Sequence, residues 1–221
     1  TSFIPEFFTE GNLSMTSIFE CHETNLIKND SASTPKIRLL EPRVLALIRA
    51  GEVINRPACV VRELLDNALD AGATDIRVIL DRTGSGKHYI CVEDNGSGIS
   101  PDDLQRALLP HTTSKLHDMD SFKAGIETMG FRGEALYSIA SVSGEISITS
   151  RLHGSDSAWK VTADHLMVSG LLGNVCNGEI DVFPCPGMPG TSVAVTSLFN
   201  GFPARLKNLA SNRSEYQAIC S

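Results

Sequence analysis

The 221-residue chain (23.8 kDa) carries 26 acidic against 19 basic side chains, a formal charge of −7 and a pI near 5.3. That balance excludes a protein-wide basic surface for wrapping nucleic acid, although a local patch survives the average. With 42% hydrophobic residues and 20% charged, the chain can bury a core of its own, in one domain or two small ones.

No apolar run approaches the roughly 18 residues of a membrane-spanning helix. Thr1 to Glu10 lack both a basic segment and a long apolar one, so no secretion signal is expected there. The six cysteines (Cys21, Cys59, Cys91, Cys176, Cys185 and Cys220) form no CxxC pair of the kind zinc requires. Reduced thiols of an intracellular protein are the expectation.

Residues 1–36 are polar and without periodicity, which predicts an irregular N-terminal arm. From Ile37 the character changes. Glu41–Ala50 spaces Val44, Leu47 and Ile48 at helical intervals, with Gly51 expected to end the helix. Pro57 opens a longer helix to about Ala71, with Val60, Val61, Leu64, Leu65 and Ala68 on a buried stripe and Gly72 as its stop. Asp75–Leu80 and His88–Glu93 alternate around Gly84-Ser85-Gly86 and predict a β-hairpin. Helices are expected over Leu104–Leu109 and Phe131–Ala140, and strands over Glu145–Ser150, Ala158–Thr162 and Thr191–Thr196. Residues 164–189 are the least regular stretch. Helices against one mixed, largely antiparallel sheet make an α+β two-layer sandwich.

The helix after Pro57 has an unusual polar face. Glu63, Asn67 and Asp70 recur at i, i+4 and i+7, so their side chains stack along one side. A solvated helix face is the plain explanation. The chemical one is that Asn67 offers a neutral carbonyl oxygen suited to Mg²⁺ alongside phosphate oxygens, and that Glu63, one turn away, can take a proton from an attacking water. Asp94-Asn95-Gly96-Ser97-Gly98 follows directly on a strand. It can be an ordinary turn, or a strand end whose carboxylate accepts from an exocyclic amine while glycine lets a ring approach the backbone. Thr112-Thr113-Ser114-Lys115 offers three hydroxyls and an ammonium to phosphate oxygens, or equally a helix cap and a solvated lysine. Glycines before the helix that begins near Phe131 place helix amides where an anion could bind. No GxxxxGK[ST] loop occurs, so a nucleotide would need another architecture.

Taken in order, RELLDNALDAGA (62–73), DNGSGI (94–99), HTTSK (111–115), GFRGEAL (130–136) and GTSVAV (190–195) resemble the nucleotide-binding motifs of the GHKL ATPases. GFRGEAL resembles the MutL mismatch-repair branch, as do the flanking AGEVINRP (50–57) and FNGFPARLK (199–207). The likeness runs from about Ile37 to Tyr216.

The resemblance implies a GHKL, or Bergerat, sandwich over 37–221 that binds ATP and Mg²⁺. Glu63 would be the general base, Asn67 the magnesium ligand and Asp94 the adenine partner, with Gly96 and Gly98 shaping the adenine pocket. Thr112, Thr113, Ser114 and Lys115 would belong to the first flexible segment around the nucleotide. Phe131, Arg132 and Gly133 would lie against the phosphates, and Thr191 on a strand near the adenine. Two positions depart from the family pattern: Asp66, where Glu is usual, and Pro110, where Arg is more common. Pro110 stiffens its loop, which bears on Lys115 and its neighbours more than on Glu63.

In the family a second domain follows and supplies a lysine to the γ-phosphate. The chain is therefore expected to be an N-terminal fragment of such a protein, or a truncated or mispredicted product, with slow or impaired hydrolysis. The implied partners are a MutL-family subunit in a homo- or heterodimer, a MutS-type mismatch-recognition complex, and DNA through the full-length protein. No membrane is involved. The expected location is the nucleus, or the cytoplasm for a prokaryotic source. The implied activity is ATP hydrolysis, with nucleotide binding driving lid ordering and N-terminal dimerisation. The alternatives are an ATP-binding switch, or a heterodimer partner, without significant hydrolysis. Arg205, Lys207 and Arg213 form a small basic cluster whose plain explanation is a solvated face.

Overall fold

The computed structural model describes residues 39–109, 112, 134–165, 167–168 and 180–221. Leu40–Ser221 forms one compact unit. Among the described residues the elements are α1 (Pro42–Val53), α2 (Pro57–Asp70), β1 (Ile76–Leu80), β2 (Tyr89–Asp94), α3 (Pro101–Leu104) and α4 (Ala135–Val142). They continue with β3 (Glu145–Arg151), β4 (Ala158–Asp164), β5 (Phe183–Cys185), β6 (Gly190–Thr196), α5 (Pro203–Asn208) and α6 (Asn212–Cys220).

The six strands form one open sheet in the order β1-β2-β6-β3-β4-β5, every neighbouring pair antiparallel. Strand side chains alternate between faces, and the register sorts them into rungs. On the inner face one rung is Ile90, Val195, Ile146 and Ala163, and the next is Val92, Val193, Ile148 and Val161. All eight are buried. On the opposite face Arg77, Glu93, Ser192, Thr149 and Lys160 line up across five strands, with an ion pair between Arg77 and Glu93. One face is apolar and the other polar, so helices are needed on one side alone.

The long helix α2 covers β1 and β2, α4 covers β3 and β4, and α1 packs on α4. Val60, Val61, Leu64 and Ala68 of α2 are buried, and Leu65 packs against the same core, as the apolar stripe requires. The result is the two-layer α+β sandwich expected from the sequence.

Three boundaries differ from expectation. Gly51 does not end α1, which continues to Val53. The Arg205 guanidinium lies over it, donating to the carbonyls of Gly51 at 3.1 Å and Ile54 at 3.3 Å. A Cβ on Gly51 would stand 1.8 Å from that guanidinium, so the glycine serves close approach and not helix termination. The predicted helix over 104–109 is instead a single turn at 101–104, because Ser100 caps it by accepting from the Asp103 amide and Pro101 takes its first position. Third, the irregular stretch after 164 contains the short edge strand β5, paired to β4 through Lys160, Trp159 and Ala158.

Candidate nucleotide site

The two apolar rungs are followed by a third of different character. Asp94 pairs with Thr191 across β2 and β6, Thr191 pairs with Ser150 across β6 and β3, and Ser150 pairs with Trp159 of β4. Three oxygen-bearing side chains thus stand side by side at one end of the helix-covered face, where the core gives way to polar chemistry.

Asp94 is half-buried. Loss of solvent pushes its carboxyl above the usual carboxylate range, while hydrogen bonds from the Gly96 and Thr191 amides oppose that shift. The Gly96 amide lies 2.8 Å from Asp94 Oδ1 and donates to it, which fixes the carboxylate.

The turn after β2 is tied down on every side. Asn95 Oδ1 accepts from the amides of Thr74 at 2.8 Å and Asp75 at 2.9 Å, and its Nδ2 donates to Thr74 Oγ1. The Ser97 amide donates to the Ala71 carbonyl at 2.9 Å, and the Ala71 amide to the Asn67 carbonyl at 3.0 Å. The end of α2, the helix that bears Asn67, and the turn that follows Asp94 on β2 are therefore joined through Ala71. Gly98 has φ +78°, and a Cβ there would stand 2.4 Å from the Arg151 carbonyl oxygen. Any other residue would push the turn off β3. His153 Nε2 lies 3.1 Å from the Gly96 carbonyl and donates to it.

On α2, Glu63, Asn67 and Asp70 are each half-buried, so this face is not the open, solvated surface of the plain explanation. Among the described residues no cluster of His, Cys, Asp or Glu is arranged to hold a metal by itself. Asn67 brings one neutral oxygen, and a divalent cation held there would need phosphate oxygens to complete its shell. That donor set fits Mg²⁺ arriving with a triphosphate.

Thr112 donates its hydroxyl to the carbonyls of Arg106 and Leu109, at 2.8 Å each. It closes the segment after α3, as a cap does, and presents lone pairs alone to any other partner. Thr113, Ser114, Lys115, Phe131, Arg132 and Gly133 lie outside the described residues, as do Cys21 and Cys176. Cys59, Cys91, Cys185 and Cys220 are free thiols.

Two residues of the site gave little signal in the sequence. Ser150 is 1% exposed and joins three segments. Its Oγ accepts from the Ile99 amide at 2.8 Å and donates to the Gly190 carbonyl at 3.0 Å, and it lies 2.9 Å from Thr191 Oγ1. Asn95 read as a turn residue and is the clamp between α2 and β2.

Comparison with known proteins agrees with this geometry. Residues 55–169 match the family model described as histidine kinase-, DNA gyrase B-, and HSP90-like ATPase. The chain belongs to that ATPase family. Within it, the similarity is to the MutL branch. The chain is 46% identical over 180 residues to the DNA mismatch repair protein MutL of Elusimicrobium minutum, a match covering 81% of this chain and 27% of the relative. With MutL of Cellvibrio japonicus the identity is 42% over 181 residues, covering 82% of this chain and 27% of that one. The chain thus spans about a quarter of the length of these curated relatives. A crystal structure of the N-terminal domain of a DNA repair protein superposes with TM-score 0.61 at 28% identity, over 80% of this chain and 46% of that one. The Aquifex aeolicus MutL ATPase domain complexed with ADP gives 0.54 at 29%, over 76% and 53%.

Proposed function

We propose that the chain is the ATP-binding and ATP-hydrolysing module of a MutL-like mismatch-repair protein. The observation that carries this reading is the third rung: a half-buried carboxylate, Asp94, at the end of an otherwise apolar sheet face, joined through Ala71 to the helix that bears Asn67 and Glu63. Asp94 accepts from the exocyclic amine of adenine, and Gly96 and Gly98 let the ring lie close to the backbone. Asn67 would hold Mg²⁺ together with the triphosphate, and such an ion would supply neutralisation of phosphate charge when bound. Glu63 orients the attacking water and takes its proton. In this reading Thr112, Thr113, Ser114 and Lys115 belong to the first segment around the nucleotide, Phe131, Arg132 and Gly133 are the residues expected at the phosphates, and Thr191 is the strand residue near the adenine.

The relatives support the wider role. Nucleotide binding orders the phosphate-side segments and drives pairing with a MutL-type subunit, and the full-length protein works with a MutS-type complex on DNA. The bacterial source of the relatives named above favours the cytoplasm.

Calorimetric titration with a non-hydrolysable ATP analogue, with and without Mg²⁺, tests the reading. Saturable binding at one site per chain, tighter with Mg²⁺, is the expected result. Absence of binding under both conditions contradicts it. Phosphate release from ATP then separates an ATPase from a switch that binds without turnover.

A further inference from the structure

Ser150 holds one proton and faces three partners. The Ile99 amide can do nothing but donate, and the Gly190 carbonyl can do nothing but accept. The assignment that satisfies all three contacts at once gives the Ser150 proton to Gly190, at 3.0 Å, and a lone pair to Ile99, at 2.8 Å. Either hydroxyl can donate across the 2.9 Å contact between Ser150 and Thr191; with the Ser150 proton on Gly190, the donor is Thr191. With its proton spent, Thr191 offers acceptor lone pairs to anything in front of the third rung. Its neighbour on that rung, the Asp94 carboxylate, is also an acceptor. Burial makes the arrangement rigid, since Ser150 is 1% exposed and water does not compete for its bonds.

We propose that Ser150 is a specificity-determining positioning residue. By taking the Thr191 proton it leaves the base-facing rung with acceptors only, which selects a purine bearing an exocyclic amine over one bearing an oxo group. The inference rests on the adenine-pocket reading above and assigns its selectivity to a buried serine behind Thr191. A 6-amino group brings two N–H donors to the two acceptors. A 6-oxo base sets an acceptor oxygen against them and moves its donor to N1–H, so the oxygen at the 6-position is left unpaired. Removing the Ser150 hydroxyl frees Thr191 to rotate and donate forward, where an oxo group can accept from it.

The test is competition binding of ATP and ITP, which carries an oxo group where ATP carries the amine. In Ser150→Ala the preference for ATP is expected to fall by about tenfold, the size of one buried hydrogen-bond mismatch. Ser150→Cys fills nearly the same space, accepts hydrogen bonds weakly, and reads the same change without opening a cavity. Thr191→Val isolates the route. In that background Ser150→Ala should leave the ATP-to-ITP ratio unchanged, whereas a purely structural role for Ser150 would alter both affinities together and the ratio in neither background. An unchanged ratio in both Ser150→Ala and Ser150→Cys overturns the proposal while leaving the nucleotide site intact. Failure of the unsubstituted chain to bind either nucleotide overturns the site and the proposal together.

Discussion

Asp94 and Thr191 face each other across the β2–β6 ladder, and the Thr191 amide donates to the Asp94 carboxylate. This places an anionic acceptor on a strand end with its position fixed before any ligand arrives. Guanine carries O6 where adenine carries an amine, so a carboxylate there opposes guanine. Competition titration should show ATP favoured over GTP by roughly tenfold or more, the cost of an unpaired buried polar group being about 1–3 kcal/mol. Asp94→Asn should weaken ATP itself.

The same group gives a pH dependence with a defined sign. Burial raises the Asp94 carboxyl above its ordinary value. Between that value and the raised one, the folded state holds the extra proton, so the contribution of Asp94 to stability falls as pH rises through the window. A ligand amine favours the ionised carboxylate, so ATP affinity should rise with pH over the same window. Affinities measured across it should show that rise in the unsubstituted chain and a flat profile in Asp94→Asn.

Asn67 supplies one neutral oxygen, and no metal-binding cluster surrounds it among the described residues. Mg²⁺ should therefore bind with nucleotide and not before it. Titration of Mg²⁺ into the nucleotide-free chain should give no tight binding. Asn67→Ala should lower affinity for Mg·ATP while its thermal unfolding stays within a few degrees of the unsubstituted chain, since this helix face is half-buried and lies off the apolar stripe.

Arg56 and Glu215 join the start of α2 to α6. Glu215 is 1% exposed and accepts from Arg56 Nε and Nη2 at 3.2 Å each and from the Ala210 amide at 3.1 Å. Breaking a fully buried pair costs about 3–5 kcal/mol. The Arg56 side chain is 39% exposed, which screens part of the interaction, so Glu215→Ala should cost about 2 kcal/mol in urea unfolding. An effect indistinguishable from zero would mean that α6 is not held by this pair.

The elements most legible in the sequence were those with strong periodicity and local punctuation. The α2 stripe, its Gly72 stop and the β1–β2 hairpin depend on near neighbours in the chain, and the structure bears them out. The alternation expected of β1 does not appear as alternating burial, since Arg77, Val78 and Ile79 are all exposed. Gly51 was misread because its reason lies about 150 residues away in Arg205. The short α3 was misread because apolar residues at 104–109 resemble a helix face, yet the Ser100 cap and Pro101 set the turn earlier. In the candidate site, Asp94 and Asn67 stood out by spacing and by motif. Ser150 gave little signal: in EISITS it shares the inward parity of Ile146 and Ile148, but it stands at the end of the run, where a serine reads as the start of a loop. Its meaning comes from a register that sets it beside Thr191, and register between strands about 40 residues apart is not written in either segment alone.

The account turns on Glu63, and single-turnover hydrolysis by Glu63→Ala beside direct ATP binding tests it most directly. In the proposed role the carboxylate serves the attacking water and not the nucleotide, so affinity should hold or tighten slightly as negative charge near the triphosphate is removed. Hydrolysis should fall by about 10²–10⁴-fold, the usual worth of a general base. Unchanged hydrolysis in Glu63→Ala would contradict the account, as would loss of nucleotide binding together with loss of the fold.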